Sequence, residues 1–370
     1  MNFNRTQLFT AVFGITILVT SCGTNNDDND VDAPLNYEYT DSEGNSTVSY
    51  TGQHQRLNML TELVTYMKLA NTVGVSIDEA VLHSMFANDS YEWDDVEELG
   101  MTGSSKQLKN KTAGGDPAVT TIFETWMTEM SEASGVAENV IVSTTNPNKQ
   151  YLQSSTGQEW TQLIEKGLMG ACFYYNISSV YLGTDKMDVD NTNAVDPDAG
   201  KYYTLMEHHW DEAYGYFTVA TDYPVNGTDR FWGKYANSRE SVLGSATKLS
   251  EAFRLGRQAI SEGKLDVRDE QINNIREELE LLAGGTAIHY LNDAVDDFGD
   301  DALRNHCLSE AKAFILALPY GANTSVDQAT ADEILAIIGD DFYNVTSASL
   351  IEARDQLANI LGLTEHAENL

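Results

Sequence analysis

The spacing of apolar residues is helical along most of the chain. Beyond Thr51, apolar side chains recur at intervals of three or four residues, as in the series Leu57, Leu60, Val64 and Met67. This spacing predicts an amphipathic helix with one buried face. Comparable series occupy the second half of the chain, where Gly263 separates two of them. We therefore predict an all-α helical bundle of about ten helices, arranged as two packed sub-bundles.

Local signals predict where several of these helices begin. Ser76 and Glu79 have the spacing of a capping box ahead of an apolar run at 81–86. Pro117 is favourable in the first turn of a helix whose apolar side consists of Val119, Ile122, Phe123, Trp126 and Met130. The segment 88–115 has no clear period, so we expect a surface excursion there.

Small residues and turn residues indicate how the fold is packed and divided. A helical pattern that begins near Gln158 contains Gly167, Gly170 and Ala171, which predicts the close approach of another backbone. The pattern ends in an acidic, turn-rich segment near 184–201. We interpret this segment as the boundary between the two sub-bundles.

The start of the chain has the pattern of a targeting segment. Residues 1–21 hold one cation, Arg5, and a 13-residue apolar run, which is shorter than the roughly 20 residues a membrane span needs. The sequence at 19–22 resembles the lipobox of bacterial lipoproteins, in which the cysteine is acylated. We therefore predict a signal peptide over 1–21, a membrane anchor at Cys22, an acidic tether over 22–50 and a folded domain over 51–370.

Charge and cysteine content narrow the range of partners. The chain has 57 Asp and Glu residues against 22 Lys and Arg residues, a formal charge of −35. Such a surplus repels a phosphate backbone, which argues against nucleic-acid binding and leaves cations or neutral ligands. Cys172 and Cys307 lie in apolar helical patterns and no CxxC motif is present, so we expect two buried free thiols.

The densest group of candidate ligands lies at 206–217. On a helix, His209 and Glu212 share a face that borders the buried stripe around Trp210. An imidazole and a carboxylate at this spacing can ligate one divalent or transition metal, such as iron or zinc, inside a bundle; alternatively, they simply hydrogen-bond each other. His208 and Asp211 repeat the spacing, and we expect them to point more outward.

A second group lies at 284–293. His289 continues an apolar helical stripe, so it is either a third metal ligand or a core histidine with a structural partner. Gly284 and Gly285 interrupt a helical pattern, which predicts a close helix contact or a break beside a site. The segment 188–199 begins like a calcium loop but has neither the glycine nor the final glutamate, and we interpret it as a solvated loop or a weak calcium site.

Both groups carry a family resemblance. GGTAIHYLND at 284–293 resembles the Gly-x-His-x-x-Glu segment of imelysin-like proteins, except that Thr286 replaces the histidine and His289 the glutamate. HHWDEAYGYF at 208–217 is similar to a segment in the other half of that fold. With the lipobox, 52–57 and 167–175, these segments look closer still to a domain-of-unknown-function family of envelope lipoproteins that accompany imelysins.

The resemblance implies a helical envelope protein linked to iron uptake. We expect a lipid-anchored outer-membrane protein, facing the periplasm or the exterior, that serves as a binding or accessory component of iron or haem acquisition alongside outer-membrane uptake components. One alternative is a metal-dependent hydrolase of the imelysin-like peptidase kind, using His209 and Glu212 with His289 or His54. The other is a surface glycan-binding protein, which requires exposed aromatic side chains along a groove.

Overall fold

A computed structural model describes residues 31–225 and 229–370. The predicted signal peptide and Cys22 lie outside these residues. In the first half the helices are α1 (Thr51–Lys68), α2 (Glu79–Ala87), α3 (Pro117–Ala133), α4 (Trp160–Leu168), α5 (Thr184–Met187) and α6 (Leu205–Phe217). In the second half they are α7 (Phe231–Leu243), α8 (Ser245–Glu262), α9 (Leu265–Asp296), α10 (Asp301–Ala317), α11 (Gln328–Ile338) and α12 (Ser347–Ile360). The predicted all-α fold is confirmed.

Strands form only two short antiparallel hairpins in the described part of the chain. Strand β1 (Val140–Val142) pairs with β2 (Gln150–Leu152), with Ile141 opposite Tyr151. Strand β3 (Ala194–Asp196) pairs with β4 (Lys201–Thr204). The second hairpin occupies the acidic segment that we interpreted as a sub-bundle boundary, and residues Val31–Leu370 form one compact unit.

Helix α4 continues into two π-helical turns, Met169–Tyr174 and Asn176–Tyr181. The wider turns place Gly170 against the end of α10, where an added Cβ would lie 2.8 Å from the Cα of Ala317. The close backbone approach predicted for this segment is therefore confirmed. Runs of π-helix are uncommon and occur frequently beside functional sites.

The long helix α9 is central to the second half and packs against α8, α10 and α12. It runs unbroken through Gly284 and Gly285. A Cβ at Gly284 would lie 2.0 Å from Leu361 Cδ1, and one at Gly285 would lie 2.9 Å from Leu243 Cδ1. The glycine pair thus serves close packing, one of the two roles predicted for it.

Some local predictions are wrong for identifiable reasons. Helix α2 is capped by Asp78 and not by Ser76. The Asp78 carboxylate accepts a hydrogen bond from the Ala80 amide. The excursion at 88–115 is irregular as expected, but Trp93, Met101 and Leu108 are buried in the core. Ile122 is 45% exposed because the buried face of α3 is set by Phe123, Met127 and Met130.

The folded body begins before residue 51. Tyr37, Tyr39 and Thr47 are all buried, so the latter part of the predicted tether is part of the fold. Tyr37 stacks on Tyr214 of α6 with ring centroids 3.6 Å apart. Among the helices of the described ranges, none has both the length and the hydropathy of a membrane span.

Candidate functional site

The carboxylate of Glu212 is the centre of a group of polar side chains between α1, α6 and the π-helical turns. Helix α6 begins with a capping box in which Thr204 and Glu207 bond each other's backbone amides. One turn further, His209 Nδ1 lies 3.1 Å from Glu212 Oε2. From α1, Gln53 Nε2 donates to Glu212 Oε1 at 3.0 Å. The predicted pairing of His209 with Glu212 on one helix face is present.

Aromatic and basic groups enclose this carboxylate. The His209 ring centroid lies 6.2 Å from that of Tyr181, which ends the π-helical segment. Lys111 Nζ donates to the Tyr181 hydroxyl at 3.0 Å. The Tyr216 hydroxyl is buried and has no hydrogen-bond partner within the described residues, so it is a polar group whose bonding capacity is unused. These residues, with His208 and Gln53, constitute the Glu212 cluster.

The surroundings set the charge of each group in the Glu212 cluster. Burial alone would raise the pKa of Glu212, but the His209 hydrogen bond, the His208 charge and the Gln53 amide lower it to about 2. Burial lowers the pKa of His208, although the negative charge of Glu212 acts to raise it. Burial and then the Glu212 carboxylate raise the pKa of Tyr181. Glu212 is therefore ionised at neutral pH while Tyr181 keeps its proton.

The cluster does not supply a ready set of metal ligands. Within residues 31–225 and 229–370, no group of three His, Cys, Asp or Glu side chains is arranged to hold a metal ion. His208 Nδ1 faces the Ser49 carbonyl at 3.1 Å, and its Nε2 lies 3.9 Å from Glu212 Oε2. His209 and Glu212 already satisfy each other. The described residues therefore offer His209 and Glu212 as a hydrogen-bonded pair and not as part of a group of three ligands.

His289 has different partners, at the chain terminus. Its Nδ1 lies 2.9 Å from the Leu370 carbonyl oxygen, and its Nε2 lies 3.3 Å from Asp293 Oδ2. The side chain is 28% exposed instead of facing the core. The structure thus does not place His289 in a three-ligand group with His209 and Glu212.

Asp211 points inward, contrary to our prediction. It is fully buried and accepts hydrogen bonds from Arg257 Nε at 2.9 Å, the Tyr37 hydroxyl at 2.8 Å and the Ser49 amide at 3.0 Å. Burial raises its pKa to about 6, although each of these donors acts to lower it. Asp211 therefore anchors α6 to α8 and to the N-terminal segment.

A second buried polar group lies between α4, α7, α9 and α10, and no motif in the sequence indicated it. Lys166 Nζ lies 3.0 Å from Glu165 Oε2 and 3.4 Å from Glu310 Oε1. The hydroxyls of Tyr235 and Tyr290 are 3.3 Å apart beside this group. The two carboxylates hold the pKa of Lys166 above its usual value although burial opposes this.

The two cysteines of the folded body, Cys172 and Cys307, are free and buried, as predicted. Burial raises the thiol pKa of both, so neither thiol is activated for chemistry.

Fold and site together define an all-α protein that encloses a cluster of ionisable side chains. The chain belongs to the family described as Domain of unknown function (DUF4856), which matches residues 34–364. The match begins just before the buried Tyr37, in agreement with a folded body that starts ahead of α1. No curated protein and no solved structure matches the chain.

Proposed function

We propose that this protein is a lipid-anchored binding component of the cell envelope that serves iron or haem acquisition, with the Glu212 cluster as its ligand site. The observation that carries the proposal is the enclosed pair of His209 Nδ1 and Glu212 Oε2, 3.1 Å apart, near the Tyr216 hydroxyl, which has no hydrogen-bond partner in the part of the chain that the structure describes. Ionisable groups kept in the interior at a desolvation cost are typical of functional sites. Iron is the cargo in this proposal and not a resident cofactor.

The imelysin-like resemblance supports the choice of this cluster. His209 and Glu212 lie within HHWDEAYGYF at 208–217, the segment that is similar to one in the other half of the imelysin-like fold. Next to them, Glu207 holds α6 in place, since its carboxylate accepts a hydrogen bond from Arg257 Nη1 at 2.8 Å and also completes the α6 capping box. The segment around Gly284, by contrast, serves helix packing.

Binding is favoured over hydrolysis because Glu212 is poorly suited to act as a base. The hydrogen bond from His209 and the amide of Gln53 lower the pKa of Glu212, which makes its carboxylate a weaker base near neutral pH. Both of its oxygens also accept hydrogen bonds from protein groups, Gln53 and His209. The same ionised, positioned carboxylate is well suited to recognising a cation or a donor group on a ligand.

The test is direct binding of ferric iron and of haemin to the purified protein, each followed by difference absorbance. We expect saturable binding of at least one of them, weakened about tenfold or more by Glu212→Gln and by His209→Gln. His289→Gln is the matched control, since it removes a half-buried histidine outside the cluster and should leave binding unchanged. Failure of both ligands to bind, or equal affinity in all variants, would overturn the proposal.

A further inference from the structure

A polar groove with an aromatic wall lies between α3, the start of α4 and the loop that joins β2 to α4. Its volume is about 550 Å³, within the range of roughly 300–1,000 Å³ usual for small-ligand sites. We call it the tryptophan groove, and its lining includes Trp126, Glu129, Glu132, Asn139, Ser155 and Trp160. None of these residues belongs to the Glu212 cluster.

Trp126 is held in a fixed orientation at the wall of this groove. Its ring meets the buried ring of Phe123 edge to face, with centroids 5.4 Å apart and planes at 84°. Gly167 of α4 makes room for both rings: a Cβ there would lie 2.8 Å from Phe123 Cε1 and 3.6 Å from Trp126 Cζ3. The indole remains partly exposed to the groove while its back is packed. Trp126 is therefore a preorganised flat surface.

Helix α3 contributes the two acidic side chains of the groove, Glu129 and Glu132. Trp126 and Glu129 are three residues apart and so lie on one face. Trp160 Nε1 donates to Glu129 Oε2 at 3.1 Å, which fixes that carboxylate beside the indole and leaves Oε1 to accept from a ligand. Glu132 and the side chain of Ser155 are exposed on the same groove. The groove thus combines an aromatic surface with several hydrogen-bonding groups.

We propose that the tryptophan groove binds a neutral sugar ring of an oligosaccharide. A pyranose has an apolar C–H face that packs on an indole and a rim of hydroxyls that donate to carboxylates and accept from amides. An apolar ligand would cover Glu132 and the second oxygen of Glu129 without offering either of them a donor. Two carboxylates would repel phosphorylated, sulfated or uronic sugars. The composition of the groove therefore matches a neutral saccharide.

Tryptophan fluorescence and calorimetry of the purified protein test this directly. The probes are neutral oligosaccharides with glucose, mannose, galactose and N-acetylglucosamine units, with heparin and choline for comparison. We expect a saturable change with a neutral sugar, a loss of about tenfold or more in affinity in Trp126→Ala, and a partial recovery in Trp126→Phe. Glu129→Gln should weaken binding less than Trp126→Ala.

Tyr202→Ala is the matched control, because it removes a half-buried aromatic side chain on β4 away from the groove. Its affinity should equal that of the unchanged protein, and circular dichroism should be the same for all variants. No response from any neutral sugar at millimolar concentration would overturn the proposal, as would preference for heparin or choline, or unchanged affinity in a folded Trp126→Ala variant. Glu212→Gln should leave sugar binding intact, which separates this result from that for iron or haem.

Discussion

Asp211 and Arg257 are both fully buried, and Arg257 Nε lies 2.9 Å from Asp211 Oδ1. The pair joins α6 to α8, and Arg257 Nη2 also donates to the Thr47 carbonyl at 3.1 Å. Tyr37 adds a second donor to Asp211 from the N-terminal segment. Three parts of the chain that are distant in sequence therefore depend on one ion pair.

Replacing one member of this pair should be far more costly than replacing an exposed one. Asp211→Ala removes one of the two carboxylates that pair with buried Arg257, with only Glu207 remaining, and leaves the Tyr37 hydroxyl without its acceptor. We therefore expect a loss of about 3 kcal/mol in the free energy of unfolding. Asp355→Ala is the control: Asp355 is 57% exposed and pairs with Arg354 at 2.7 Å, so its loss should cost less than about 1 kcal/mol. Urea denaturation measures the free energy of unfolding of both variants.

A double variant separates the charge effect from simple packing. Arg257→Met alone leaves two buried carboxylates, Asp211 and Glu207, without the guanidinium. Asp211→Leu combined with Arg257→Met leaves only one of them and keeps apolar volume, so the double variant should be more stable than Arg257→Met alone. Equal losses in Asp211→Ala and Asp355→Ala, or a double variant less stable than Arg257→Met, would contradict the role assigned to the pair.

The same two residues show what a sequence can and cannot predict. The helices follow from the spacing of apolar residues, because that spacing decides which face can be buried. The inward orientation of Asp211 cannot be predicted in this way, because Arg257 is 46 residues away in the sequence. Only the packing of α6 on α8 brings the two side chains together. A helical wheel turns Asp211 away from the Trp210 stripe and so predicts a more outward position, and the buried cation Arg257 reverses that assignment.

The Glu212 cluster likewise combines a local pair that the sequence predicts with partners that only the tertiary fold brings together. The pairing of His209 with Glu212 is local, three residues along one helix, and was predictable. Gln53 lies 159 positions from Glu212 and joins it only through the contact of α1 with α6. Tyr181 and Lys111 are brought in by the π-helical turns and a 3₁₀ segment, Lys109–Gly115, neither of which has a reliable sequence signal.

The close contact between the π-helical segment and α10 should not tolerate a methyl group. In Gly170→Ala the new Cβ would lie 2.5 Å from the Ala317 Cβ and 2.8 Å from its Cα. Backbone atoms cannot move aside as a flexible side chain can, so we expect a loss of about 1–3 kcal/mol or more. Thermal unfolding of Gly170→Ala and of the unchanged protein measures this loss of stability.

Gly299→Ala provides the matched control for Gly170→Ala. A Cβ at Gly299 would have no atom within 4 Å, so this variant should unfold within a few degrees of the unchanged protein. Equal melting temperatures for both variants would show that the helices move apart more readily than the packing implies.

Membrane attachment through Cys22 is a separate prediction. Cys22→Ser removes the proposed site of acylation, and the protein should then leave the membrane fraction and lose palmitate labelling, because acyl chains are the anchor that we propose. Cys307→Ser is the control, since that thiol is buried in the fold and should not affect attachment. Continued labelling of Cys22→Ser would refute the lipid anchor.

His306 should make the stability of the protein depend on pH above about 6.5. Its Nδ1 lies 2.6 Å from Oε2 of Glu159, whose side chain is fully buried, and its ring stacks on Tyr151 at 4.2 Å. Burial alone would lower the pKa of His306, but the Glu159 carboxylate raises it above the ordinary value of 6.5. The folded state therefore binds the proton more tightly than the unfolded chain.

The sign of the effect follows from linkage. The contribution of His306 is complete below about pH 6.5 and is lost as the pH rises through the higher pKa of the folded state. We expect the free energy of unfolding to fall over that interval in the unchanged protein and to fall less in His306→Gln, which keeps a hydrogen-bonding side chain but cannot titrate. Urea denaturation at a series of pH values gives both curves, and the difference between them isolates His306 from the other titrating groups. Parallel curves would mean that Glu159 does not hold the proton on this imidazole.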